Sequence, residues 1–351
     1  MTKKRKKQKK MSEFSDYSAK EAADLLLSLS ENKKKILFTG HRNPDGDCVG
    51  SSYAIKMIYK SLGGEAECAF PGKIPDYLSF LSGNCKNNEN DISFDHVITI
   101  DTASPSQMGD LIYLKEKVIL TIDHHENCTQ FSDSYRDKDA SAAGEQVYKI
   151  YKILRDNNKI KENANICRLI YSAISSDTGS FMYSNTTKET HKIAADLVET
   201  INSDKNGYNC ATISQKLHNS RSLTALKAQK MCIEYLETTA DAKIAFIVLE
   251  KQKIAENGLR DEDFGSAVDI PRSLEGVLLS FVLKETDETK ENKDKAYKIS
   301  ARSSCDVNVA DICAKFGGGG HAKAAGGTVF AKNAENAKNI IVEAFSKALE
   351  N

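Results

Sequence analysis

His41, Asp45 and Asp47 lie within seven residues, "HRNPDGD", with Gly46 between the two acids. Asp101 closes the apolar run "HVITI", and Asp123, His124 and His125 close "VILTI". Asp177 stands in "SSDTGSF". Any one of these alone reads as a cap aspartate or a core histidine, since Asn, Pro, Asp and Gly are ordinary turn residues. Four separate segments that each bring carboxylates or imidazoles to the end of an element are not explained by turn chemistry. They read as a metal site. Carboxylates with a few imidazoles, and no thiolate pattern, suit Mn²⁺ or Mg²⁺ better than structural zinc. The acids outnumber what one ion needs, so two ions about 3.5–4 Å apart with one bridging carboxylate would use them. Asp45 and Asp47 are two apart and in extended backbone project to the same side, each toward a different ion. Gly46 permits the sharp backbone path between them.

The elements that must position these residues alternate between strand and helix. "KKILFTGH", "EAECAF", "DHVITID" and "KVILTIDHH" read as strands; "SAKEAADLLLSL", "GSSYAIKMIYKSLG", "AGEQVYKIYKILRDN" and "ANICRLIYSAISSDTG" read as helices. This pattern predicts an α/β fold with a mainly parallel sheet flanked by helices. In such sheets ligands bind outside the carboxyl ends of the strands, so three strands deliver acids and imidazoles to one edge.

The pattern predicts a first domain over 16–201, a polar linker over 202–222 and a smaller α/β domain over 223–351. Residues 285–295, "ETDETKENKDK", read as a charged loop between two strands of that second domain. The second domain carries its own constellation. "GGGGH", residues 317–321, follows a helix and ends in His321. It reads as a backbone nest that lets a phosphate or base approach closely. Arg302, in "YKISAR", supplies a bidentate phosphate fork.

Composition bounds the function. A chain of 351 residues, 40% hydrophobic, suggests two domains with buried cores. No apolar run reaches the roughly 18 residues of a membrane span, so no membrane partner is expected. The N-terminus lacks the apolar stretch of a secretory signal. Nine scattered cysteines without a C-x-x-C pair read as free thiols of a cytoplasmic protein. Net charge is zero, but seven of the 49 basic residues fall in residues 1–10, which hold no acid. Residues 1–15 read as a basic, disordered tail. The rest has 42 basic against 49 acidic residues, a net of −7. An acidic body grips long nucleic acid poorly and suits a small polyanion held at one metal or basic site.

"HRNPDGD", "ITIDTAS", "IDHHEN" and "SDTGSF" resemble the four motifs of the DHH phosphoesterase superfamily, and "ARSS…FGGGGHAKAAGG" resembles its DHH-associated C-terminal domain. The resemblance spans nearly the whole chain. It implies a two-manganese phosphoesterase, with Mg²⁺ or Co²⁺ as alternatives, and an active site in the cleft between domains. It would place one ion on His41, Asp45 and Asp101 and the other on Asp47, Asp101, His124 and Asp177. Asp101 would be the bridge. His125 would face the scissile phosphate, with Asp123 supporting its neighbours. Arg302, Ser303, Gly318, Gly319, Gly320 and His321 would contact the non-reacting part of the substrate. Cys128 departs from the asparagine frequent in relatives. Pyrophosphatases of the superfamily lack "GGGGH", and RecJ-like exonucleases add a barrel for which no residues remain. The chain is therefore similar to the stand-alone nanoRNase and pAp phosphatase branch. That implies cleavage of very short RNA, or pApA, to 5′-mononucleotides, removal of the 3′-phosphate of pAp, and attack on phosphorus by a metal-activated water. Short RNA or nucleotide bisphosphates would be the partners, with a homodimer allowed. A soluble cyclic-dinucleotide phosphodiesterase is the alternative within the superfamily. An RNA-binding module with an inactive first domain is the alternative outside enzymes.

Overall fold

The alternation of strands and helices is realised in the computed structural model, which describes residues 14–82, 93–265, 267–289 and 294–350. Of the basic tail expected over 1–15, residues 1–13 lie outside that set. Ser15 is held in place, its N–H donating to Asp133 Oδ1 at 2.8 Å and its carbonyl accepting from Ser134. The chain divides into two compact units, residues 1–220 and 221–351.

The first unit runs α1 (Ala19–Glu31), β1 (Lys35–Thr39), α2 (Gly46–Ser61), β2 (Glu65–Cys68), the short α3 (Ser79–Ser82), β3 (His96–Ile100), β4 (Val118–Asp123), β5 (Ser134–Arg136), α4 (Ala143–Asp156), α5 (Ala164–Asp177), α6 (Lys188–Ser203) and α7 (Cys210–Ser214). The first helix starts where a capping box sets it, Ser18 and Glu21 each satisfying the other's backbone N–H. The sheet has the order β2-β1-β3-β4-β5 and is parallel throughout. Ile36, Phe38, Ile98, Ile100, Leu120 and Ile122 pack one face against the helices. Leu37, Val97 and Val118 pack the other against Met108, Leu111 and Leu114 of a run of 3-10 turns, Pro105–Lys117. Helices therefore cover one face and tight turns the other. Burial on both faces is why these strands read as unbroken apolar runs.

Two glycines bring the start of α2 against the end of α5. A Cβ on Gly46 would meet Ser176 Oγ at 2.4 Å, and one on Gly50 would meet the Leu169 carbonyl at 2.8 Å. The helices touch backbone to backbone, so Asp45 and Asp47 start beside the point where Asp177 ends.

The second unit holds α8 (Leu223–Glu234), β6 (Leu236–Thr238), β7 (Ile244–Leu249), α9 (Lys251–Glu256), α10 (Asp269–Arg272), β8 (Leu279–Thr289), β9 (Lys295–Ser303), α11 (Val309–Ala314), β10 (Gly319–His321), β11 (Ala324–Ala331) and α12 (Ala334–Glu350). Its sheet, β10-β11-β9-β8-β7-β6, is antiparallel except for the β7–β8 pair. One core joins this sheet to α11 and α12 through Phe281, Ile299, Ile312 and Phe345.

Three expectations change. Residues 202–222 are not a bare linker: they contain α7 and a π-turn, Gln215–Asn219, and Ile213 is fully buried in the first core. Of the charged stretch 285–295, residues 285–289 and Lys295 are strand, because Glu285 pairs with Tyr297 and Thr289 with Lys295 across β8 and β9; residues 290–293 lie outside the described residues. The glycine run is drawn out rather than coiled into a nest, Gly319–His321 pairing with Ala324–Gly326 as a hairpin edge.

Candidate metal centre

β1 and β3 pair in register at Thr39 and Thr99, so the residues two beyond each, His41 and Asp101, arrive side by side. His41 Nε2 lies 3.3 Å from Asp101 Oδ2 and 3.8 Å from Asp45 Oδ2. The next strand, β4, delivers His124, whose Nε2 is 3.5 Å from Asp101 Oδ1, 3.3 Å from Asp177 Oδ2 and 3.7 Å from Asp47 Oδ2. Asp101 thus stands between two imidazoles and presents one carboxylate oxygen to each. His125 Nδ1 contacts Asp123 Oδ1 at 2.7 Å and lies 3.5 Å from Asp101 Oδ1.

Asp45 and Asp47 do not share an extended segment. Asp45 is the extended N-cap of α2, its Oδ1 accepting from the Cys48 N–H at 3.0 Å, whereas Asp47 sits in the first helical turn. The helix start rather than a two-residue strand repeat sends them to different partners. Asp47 also serves a second helix. Its oxygens accept from Ala143 N–H, Gly144 N–H and Ser51 Oγ at 2.7, 3.0 and 2.8 Å. The N-cap of α4 is Ala142, which has no capping side chain, so Asp47 caps that helix from across the fold. A carboxylate has about four lone-pair sites, which leaves one for the cluster.

Asp47 and Asp101 are buried and Asp177 is half-buried. Burial, reinforced by Asp177 and Asp101, holds the Asp47 carboxyl well above the usual range. Burial likewise pushes Asp177 up to about 6 against the pull of His124. Burial would raise Asp101 too, but His124 and His41 hold it well below. Burial would lower both imidazoles, yet contact with Asp101, with Asp45 or Asp177 added, raises them, His124 to about 12. The cluster thus demands positive charge, and protons fill that demand in the bare chain. Asp101 Oδ1 is a buried acceptor with no hydrogen bond, aimed between His124 and His125. Oxygen and imidazole donors around such an acceptor fit a divalent cation.

Sequence patterning missed Cys48, whose Sγ groups with His41 and Asp101 atoms within 4.8 Å. Burial pushes its thiol up to about 12, so it stays neutral beside the acids. Its only sequence signal is adjacency to Asp47.

In the second unit, strand register aligns Arg302 with Ala324 and Ala324 with His321. Arg302 and His321 therefore share one row across three strands, with Gly319 and Gly320 beside them. A Cβ on Gly318 would fall 1.9 Å from the Gly326 carbonyl, so that position admits only glycine. Ser303 does not join this row. Its side chain is buried on the alternate face, and its hydroxyl donates to the Cys305 carbonyl at 2.9 Å.

Residues 35–174 match the family described as "DHH family, N-terminal domain", and residues 229–350 match the "DHHA1 domain". The probable bifunctional oligoribonuclease and PAP phosphatase NrnA of Streptococcus mutans is 28% identical over 83% of this chain and 88% of its own. The bifunctional oligoribonuclease and PAP phosphatase NrnA of Thermus thermophilus is 28% identical over 90% of each. The cyclic-di-AMP phosphodiesterase PdeA of Listeria monocytogenes is 26% identical over 86% of this chain and 46% of its own. An exopolyphosphatase-related protein from Bacteroides fragilis shares the fold, with a TM-score of 0.77 over 93% of this chain and 95% of that one at 23% identity. The exonuclease RecJ bound to manganese has a TM-score of 0.54 over 96% of each chain at 14% identity. Among the described residues no helix is long and apolar enough to cross a membrane.

Proposed function

This chain belongs to the DHH phosphoesterase family and carries a DHHA1 domain, and on that premise we propose that it is a manganese-dependent hydrolase of very short RNA and of nucleotide bisphosphates such as pAp. The observation that carries this is Asp101, buried between His41 and His124 at 3.3 and 3.5 Å. His41, Asp45 and Asp101 would hold one ion; Asp47, Asp101, His124 and Asp177 would hold the other. Oxygens, imidazoles and a thiol kept neutral favour Mn²⁺, with Mg²⁺ or Co²⁺ as substitutes. When bound, such ions lower the pKa of a water and offset charge on phosphoryl oxygens.

The protein's own groups do the rest. Asp123 accepts from Nδ1 of His125 at 2.7 Å and so orients the ring, whose Nε2 would face a phosphoryl oxygen. The bond to buried Asp123 raises the His125 imidazole against the opposing effect of burial, which favours the protonated ring that could donate to such an oxygen. Arg302 grips a phosphate remote from the reaction, His321 adds a second polar group in the same row, and Gly318–Gly320 let the substrate backbone come close. Relatives named as oligoribonuclease and PAP phosphatase, matched over most of both chains, support this substrate class.

A product-resolved assay tests it, with pAp, pApA, a short RNA ladder and a cyclic dinucleotide, each with Mn²⁺ and after chelation. Mn²⁺-dependent release of 5′-mononucleotides from pApA and of phosphate from pAp is expected. Cleavage confined to the cyclic dinucleotide would replace this function with a cyclic-dinucleotide phosphodiesterase.

A further inference from the structure

Arg136 ends β5, in register with Asp123 at the end of β4. Its Nε donates to the His125 carbonyl at 2.8 Å, and Nη2 donates to the carbonyls of both His125 and Glu126. The same Nε stands 4.0 Å from Asp123 Oδ2. That oxygen is buried and has no hydrogen bond, while Oδ1 is occupied by His125. One guanidinium therefore acts on His125 from two directions: through the backbone that carries it and through the carboxylate that orients its ring. Asp123 and Arg136 also line a cavity of about 230 Å³ together with Thr102, Cys128, Phe131 and Ser132 among others. A lysine ammonium is a point charge without this rigid, planar two-nitrogen fork.

We propose that Arg136 is a positioning residue for hydrolysis, setting the imidazole of His125 through Asp123 and through the carbonyls of His125 and Glu126. This rests on the proposed function, in which His125 faces the phosphate. Removing such a supporting partner lowers activity by about 10- to 100-fold. The loss should fall on kcat, because Arg136 touches the residue that acts and not the substrate.

The test is a double-mutant cycle in the full chain with Mn²⁺ and pAp, comprising Arg136→Met, His125→Ala and the double variant. Mn²⁺ affinity is followed by calorimetry and folding by thermal melting. Arg136→Met should lower kcat by about 10- to 100-fold with KM within about 3-fold. On the His125→Ala background it should cost no more than about 2-fold, because the residue it serves is gone. Mn²⁺ affinity should be unchanged. Equal losses in both backgrounds, a rise in KM alone, or a loss of Mn²⁺ affinity would each overturn the proposal. If Arg136→Met does not fold, Arg136→Lys replaces it and faces the same criterion of non-additivity. A wild-type protein inactive on every phosphoester would overturn the reading of the site itself, and this inference with it.

Discussion

His41 Nε2 stands 3.3 Å from Asp101 Oδ2, although sixty residues separate them in the chain. The contact follows from strand register, since Thr39 pairs with Thr99 and the two strands end within one residue of each other. Asp101 is also one of the few non-glycine residues with positive φ, at 54°. The chain turns sharply there and aims the carboxylate back over the strand ends.

That conformation separates two substitutions that look equivalent. Asn tolerates the left-handed region, whereas Ala is strained there by roughly 1–2 kcal/mol. Asp101→Asn and Asp101→Ala should both abolish hydrolysis by removing the shared carboxylate. The alanine variant should be less stable than the asparagine variant by about 1 kcal/mol in urea melts. Near wild-type turnover by either, after chelation and Mn²⁺ add-back, would exclude Asp101 from the ion site.

Protons and metal should compete for the cluster. The Asp177 carboxyl is raised from 3.8 to about 6, so the folded chain binds its proton more tightly than the unfolded chain does. The stabilisation is complete below the unfolded value and is lost as pH rises through about 6. His41 and His124, also raised, act in the same direction at higher pH. Metal-free protein should therefore lose stability between about pH 4 and 7, and Mn²⁺ should restore it with release of protons. Melting with and without chelator, and calorimetry in two buffers of different ionisation enthalpy, check this. A metal-free protein that gains stability over that interval would contradict this charge balance.

The ends of β1, β3 and β4 are legible in sequence because each strand, buried on both faces, is an apolar run that stops at a charged residue. Asp177 is legible because α5 ends on a Thr-Gly turn. What is not legible depends on partners distant in sequence. Asp47 caps α4, 96 residues on, and nothing near Asp47 announces an uncapped Ala142. Arg136 is a lone arginine until β5 pairs with β4. Residues 285–289 look like loop because the stretch is polar and charged, and its strand pairing with 295–297 depends on a register that no local pattern announces. Ser303 looks like a partner of Arg302, but adjacent strand residues face opposite sides.

Arg302→Ala should raise KM more than it lowers kcat. A fork on a phosphate remote from the reacting bond binds ground state and transition state alike. The loss should be about 1.5–3 kcal/mol, the range for hydrogen bonds to charged groups. Steady-state kinetics on pAp and a dinucleotide decide it. A collapse in kcat at constant KM would move Arg302 into the chemistry.

Substrate length offers the sharpest check on the proposed function. Outside residues 1–10 the chain carries a net charge of −7. Each added nucleotide brings another phosphate that must lie along acidic protein, so binding energy per residue falls as the strand grows. The chain also has no tryptophan, which removes the strongest stacking partner for added bases. The basic residues 1–10 act in the opposite sense, recruiting longer RNA electrostatically, most strongly at low salt. The two effects separate when kcat/KM is measured for 5′-labelled RNAs of about 2, 5 and 24 nucleotides, with and without residues 1–10. The dinucleotide should be the best substrate for both forms, and deleting residues 1–10 should weaken only the 24-mer. Equal efficiency on the 24-mer by the shortened protein would exclude a short-RNA hydrolase and favour a processive exonuclease.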